Sequence, residues 1–75
     1  MYVIKVAVND CISAYRYYGD TLEECLDEIK KDPIKYTDWY SPTGNCQVIE
    51  IDKHFNELKT YQVRKGEAKE IWKQK

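Results

Sequence analysis

Little in this chain performs chemistry. It carries one histidine and three cysteines, and no catalytic or nucleotide-binding motif is recognisable along its 75 residues. His54 stands alone in what reads as a surface turn, and the sequence gives no sign that Cys11 or Cys46 approaches it. The Cys–His pairing that activates a thiolate therefore has no visible basis, and the chain reads as non-enzymatic. Cys11, Cys25 and Cys46 are odd in number and widely spaced, which argues against a disulfide framework and suits a reducing compartment, so a cytoplasmic location is expected. Together with His54 they form none of the close ligand pairs of a tetrahedral zinc site, and neither a metal nor another cofactor is implied. Glu50 and Asp52 read as the wet side of a half-buried strand rather than as a cation site. No apolar run approaches the roughly 20 residues of a membrane-spanning helix. The short run Val3 to Val8 is interrupted by Lys5 and has neither basic leader nor cleavage site, so no signal peptide is expected.

An excess of one charge is also missing, since the formal net charge is −1. The distribution is nevertheless uneven. Asp20, Glu23, Glu24, Asp27, Glu28 and Asp32 crowd one segment, whereas Lys53, Lys59, Arg64, Lys65, Lys69, Lys73 and Lys75 dominate the last third. The acidic residues could imitate a phosphate backbone, but acids early in a helix and Lys30 and Lys31 at its end are what the helix dipole favours. An ordinary solvated helix face is the reading.

What the chain has in quantity is aromatic side chains: seven tyrosines, two tryptophans and a phenylalanine. A domain of this size buries only part of its surface, so Tyr2, Tyr15, Tyr17, Tyr18, Tyr36, Tyr40 and Tyr61 cannot all be deep in a core. Tyrosine combines large contact area with few torsions and a hydroxyl that tolerates wetting, which is why it is enriched at interfaces.

The pattern along the chain predicts one domain spanning residues 1–75. Ile4, Val6 and Val8 alternate with polar or small residues as in a strand with one buried face, and Asn9-Asp10 followed by Cys11 to Tyr18 completes a hairpin. Thr21 with Glu24 is a capping box, and Leu22, Cys25, Leu26 and Ile29 recur at helical spacing until Asp32-Pro33. Ile34 to Ser41, the turn Pro42 to Asn45 and Cys46 to Asp52 read as a second hairpin. Leu58 to Lys65 adds a further strand, and Glu67 to Lys75 is expected to form a short helix anchored by Trp72. The predicted class is α+β, in ββαβββα order: an antiparallel sheet of about five strands, with one amphipathic helix packed on one face and a short C-terminal helix. One helix cannot cover such a sheet, so the opposite face is solvated, paired in a homodimer, or used for binding.

Two aromatic clusters are the binding candidates. Tyr36, Trp39 and Tyr40 lie together, and in a strand Trp39 and Tyr40 would point to opposite faces, leaving one of them accessible. The alternative packs Trp39 under the helix, with Tyr36 and Tyr40 lining a half-buried surface. In the second cluster Tyr15 and Tyr17 would share one face, and Arg16 the other with Tyr18. If such a face met Lys59, Arg64 or Lys65, it could stack bases or a nucleotide while the cations neutralise phosphate. The chain lacks the sequence patterns of known nucleic-acid-binding modules and the basic excess that usually accompanies phosphate recognition.

Gly19-Asp20-Thr21-Leu22-Glu23-Glu24-Cys25-Leu26 resembles the strand-to-helix corner of HicB-type antitoxin domains, which likewise place a hairpin before such a helix. The likeness covers one turn and a helix. Tyr15-Arg16-Tyr17-Tyr18 stands where that family tends to carry a segment with proline and glycine, and a capping box after a hairpin recurs in unrelated folds, so no function is transferred. The residues point first to a small non-catalytic module that docks on a larger protein, an inhibitor or adaptor of the kind common among viral and mobile-element accessory proteins. Single-stranded nucleic-acid or nucleotide binding is the second expectation.

Overall fold

The computed structural model describes residues 1–71. Five strands, β1 (Tyr2–Ala7), β2 (Ser13–Gly19), β3 (Cys46–Ile51), β4 (Glu57–Arg64) and β5 (Glu67–Glu70), accompany one helix, α1 (Leu22–Lys31). They form a single antiparallel sheet in the order β2-β1-β3-β4-β5.

The first hairpin turns on Asn9, whose side-chain oxygen accepts from the Cys11 and Ile12 amides at 2.9 and 3.0 Å. At the other end of β2 the capping box forms as expected. The Thr21 hydroxyl accepts from Glu24 N at 3.1 Å, and the Glu24 carboxylate reaches back to Asp20 N at 2.7 Å. Gly19 brings the strand close against the helix, because a β-carbon there would sit 3.2 Å from the Cys25 sulfur. Cys25 and Ile29 are buried against Ile4, Val6, Cys46, Val48 and Val63, with Leu22 and Leu26 at the margin of this main core.

Two elements differ from expectation. Residues 34–41 form turns rather than a strand. The reason is topological: β3 already has β1 on one side and β4 on the other, so no edge is left for a strand from this segment. Its backbone groups instead make local turns, Lys35 N to Asp32 O, Ser41 N to Asp38 O and Asn45 N to Pro42 O. Conversely, Glu67–Glu70 is a strand where a helix was expected. Lys65 and Gly66 both have positive φ, 53° and 80°, as a two-residue hairpin turn requires, and this folds the chain back onto the free edge of β4. Ladder hydrogen bonds along β4 replace a helix too short to stand alone. Trp72 and the residues after it lie outside those described. The sheet therefore has the expected number of strands with one exchanged for another.

Bulges decide which side chains share a face. In β2, Ile4 pairs with Tyr17 but Lys5 pairs with Tyr15, so Arg16 is an extra residue. In β4, Leu58 is the extra residue between Glu57 and Lys59.

Candidate functional site

The Arg16 bulge overturns the expected pairing of tyrosines. Tyr15 and Tyr18 lie opposite Lys5 and Val3, on the face of the sheet turned away from α1, while Tyr17 lies opposite Ile4 on the helix face and packs half-buried at the margin of the main core. On this open face the Tyr15 and Tyr18 rings meet edge to face, with centroids 6.2 Å apart, and Tyr18 meets Phe55 in the same way at 6.3 Å. Beneath them Val3, Ile49 and Ile51 form a second small core. The Tyr15 hydroxyl on β2 donates to Glu57 on β4 at 2.9 Å, and Lys5 Nζ reaches the same carboxylate oxygen at 3.3 Å. Since β1 and β3 lie between β2 and β4, this strap crosses over the second core and keeps water from it. Burial first, and then the hydrogen bond to Glu57, push the Tyr15 hydroxyl above its ordinary pKa.

Phe55 presents its ring from a tight turn. The Asp52 carboxylate accepts from His54 N, Asn56 N and the Asn56 side chain at 2.8–3.0 Å, bonds that hold Asp52 below the usual carboxylate range. Phe55 itself adopts φ 64°, a region that favours glycine or asparagine over a bulky side chain. A phenylalanine that is 57% exposed in such a turn is poorly explained by local backbone preference.

The second aromatic surface is at one end of the molecule. Trp39 and Tyr40 are both exposed, at 54% and 65%, where alternation in a strand would have hidden one of them. They occupy a turn, and their rings meet edge to face at 5.8 Å. The backbone beneath is fixed. Asp38, only 3% exposed, accepts from Ala7 N at 2.8 Å, Trp39 N donates to Ala7 O at 2.9 Å, and Asp38 N donates to Asn45 O at 2.8 Å. A second tie runs through Thr37, whose hydroxyl oxygen accepts from Gly44 N. Val8 and Ile12, at the tip of the first hairpin just beyond Ala7, are also exposed.

Tyr36 does not belong to either surface. It is fully buried in the main core and its hydroxyl donates to Glu28 at 2.9 Å, so the assignment of Tyr36 as a contact residue is corrected. Among the described residues the exposed rings are Tyr15, Tyr18, Trp39, Tyr40 and Phe55; the last carried no signal in the sequence, because an exposed aromatic in a turn breaks no periodic pattern.

The four candidate cations, all among the described residues, do not gather around Tyr15, Tyr17 and Tyr18. Arg16 is at the bulge of the edge strand β2, Lys59 faces Glu50, Arg64 faces Glu67, and Lys65 lies in the β4–β5 turn near Lys30. The hollow of about 330 Å³ that includes Arg64 is lined as much by Glu67 and Glu70 as by Arg64 and Lys69. Phosphate neutralisation needs cations without such acidic neighbours. Fluorescence titration with labelled single-stranded oligonucleotides at low salt is accordingly expected to show no saturable binding. A complex that weakens steeply with added salt would contradict this.

Cys25 and Cys46 are free and buried, and burial raises their thiols to about 11 and about 12. Burial, followed by the Glu28 hydrogen bond, likewise raises Tyr36 to about 12. All three groups keep their protons longer in the folded state, so their contribution to stability is complete below the ordinary thiol value of 9.0 and is lost as pH climbs toward the folded-state values. The thermal midpoint is expected to hold from neutrality to about pH 9 and to fall steeply above it, and Cys46→Ala should flatten part of that fall. An unchanged midpoint at pH 10.5 would remove the linkage.

Among the described residues no group of three or more metal-ligating side chains comes together, and no helix is long and apolar enough to cross a membrane.

No protein-family description, curated protein or solved structure matches this chain.

Proposed function

We propose that this chain is a small non-catalytic protein-binding module, an inhibitor or adaptor in the cytoplasm, that docks on a larger protein through Trp39 and Tyr40. The observation that carries the reading is the combination of two exposed large rings with a backbone fixed by the buried Asp38. A backbone already fixed loses little freedom on docking, and Trp and Tyr are the residues that most often dominate binding energy once a partner excludes water from them. Val8 and Ile12 extend the apolar surface at the same end. The raised thiols of Cys25 and Cys46 also favour binding over covalent chemistry, because a protonated, buried thiol is a poor nucleophile.

The test is quantitative capture from host lysate with immobilised wild type, Trp39→Ala and Tyr40→Ala. A partner held by wild type should be lost from both variants, each weakened by about 2 kcal/mol or more as for a hot-spot residue. Equal recovery on all three would take these residues out of the interface.

A further inference from the structure

We propose that the hollow where the end of α1 meets the β4–β5 turn binds a single phosphate dianion, held between Lys30 and Lys65. The site is separate from Trp39 and Tyr40, neither of which lines it.

The hollow, about 280 Å³ in volume, lies between Ile29 and Lys30 on α1, Thr43 and Gly44 in the connecting loop, and Lys65 and Gly66 in the turn. Its lining holds two cations and no acid, unlike the hollow beside Arg64, where Glu67 and Glu70 offset the basic groups. Neither ammonium has an ion-pair partner among the described residues. Like charges that line one hollow repel each other, and a dianion between them turns repulsion into attraction.

The backbone around the hollow carries a second observation. A β-carbon on Gly44 would sit 3.4 Å from Pro33 Cβ, and one on Gly66 would sit 3.5 Å from Lys30 Cε, so a larger side chain at either position would intrude on the hollow. Their φ angles of 85° and 80° are reason enough for glycine at both. Lys65 has no such reason. The first position of a two-residue turn of this kind favours asparagine, aspartate or glycine, yet a lysine adopts φ 53° there. A residue held against its backbone preference points to a task for its side chain. The stem of Lys30 lies against Gly66, next in the chain, which brings the second cation to the same turn.

The chemistry of the lining selects the ligand. Lysine acts on phosphate as a point charge, whereas a carboxylate is matched better by the planar fork of arginine. The Thr43 hydroxyl and the Gly66 amide, without hydrogen-bond partners among the described residues, are further donors at the rim. The volume falls just below the roughly 300–1,000 Å³ of ordinary small-molecule clefts, which leaves room for a phosphate group with a small substituent against Ile29 and Pro33. A nucleic-acid strand needs cations in succession along its backbone, and one two-lysine hollow does not supply them.

Amide chemical shifts followed during titration with sodium phosphate, against sodium chloride at equal ionic strength, test the site. Thr43, Gly44, Lys65 and Gly66 should shift and saturate, with Kd of about 1–10 mM. Lys65→Asn should weaken binding by about 10-fold or more, while its thermal midpoint stays at or above that of wild type because asparagine suits the turn. Lys30→Gln should weaken binding as strongly. Lys31→Gln removes a cation from the same last turn of α1 but not from the hollow, and should leave binding unchanged. Phenyl phosphate separates the sources: tighter binding than inorganic phosphate identifies an organic monoester, equal binding identifies free phosphate, and both depend on the same two lysines. The absence of a saturable shift beyond the chloride control overturns the proposal. Binding that survives both Lys30→Gln and Lys65→Asn, or that falls equally in Lys31→Gln, overturns it as well.

Discussion

Tyr36→Ala is expected to leave the protein largely unfolded at room temperature. Tyr36 heads the largest fully buried side chains, and it comes from a loop, so its ring is the main link between residues 32–45 and the helix–sheet core. Truncating a buried aromatic side chain typically costs about 3–5 kcal/mol. A chain of this length has a total stability at the low end of about 5–15 kcal/mol, so one substitution removes most of it. Tyr36→Phe separates the ring from its hydroxyl: it keeps the packing and loses only the bond to Glu28, at a cost of about 1–2 kcal/mol. Urea titrations followed by circular dichroism measure both. A Tyr36→Ala midpoint equal to wild type would show that the loop does not contribute to the core.

Asp38→Ala should have the second-largest effect, and on two observables together. The Ala7 amide loses its acceptor, and a partly buried donor left without one costs about 1 kcal/mol or more. The substitution also loosens the support beneath Trp39 and Tyr40 while leaving both rings intact, so partner capture should fall as it does for Trp39→Ala. In a Trp72→Phe background Trp39 is the sole tryptophan, and its time-resolved anisotropy should show faster local rotation when Asp38 is replaced. Asp38→Asn keeps an oxygen able to accept from Ala7 and should restore most of both properties. If Asp38→Ala loses stability but leaves anisotropy and capture unchanged, the carboxylate is structural only and the rings need no fixed support.

Legibility of the site followed the range of the interactions that build it. The capping box at Thr21 and Glu24 and the apolar stripe through Cys25 and Ile29 depend on residues three or four apart, and both stand where the pattern placed them. The surplus of rings over core space was also visible from composition and length. Which rings stay outside was not. Tyr36 and Tyr40 look alike in the sequence, yet one is sealed against Glu28 and the other is exposed, because the choice depends on how residues 32–45 cross the end of β1. The grouping of Tyr15 with Tyr18 turned on one extra residue at Arg16, and a bulge leaves no compositional trace when every residue around it favours a strand.

By itself the sequence determined the class of the molecule: α+β, antiparallel strands with an amphipathic helix, and more aromatic surface than a chain of this length can bury. Tertiary structure decided which segments became strands and which rings faced water. Strand membership depends on a free edge, and only the assembled order β2-β1-β3-β4-β5 shows that β3 had none to offer residues 34–41 while β4 had one for Glu67–Glu70. Hydrogen bonds in a sheet join residues far apart in the chain, so local preference can nominate a strand, but only its neighbours can admit it.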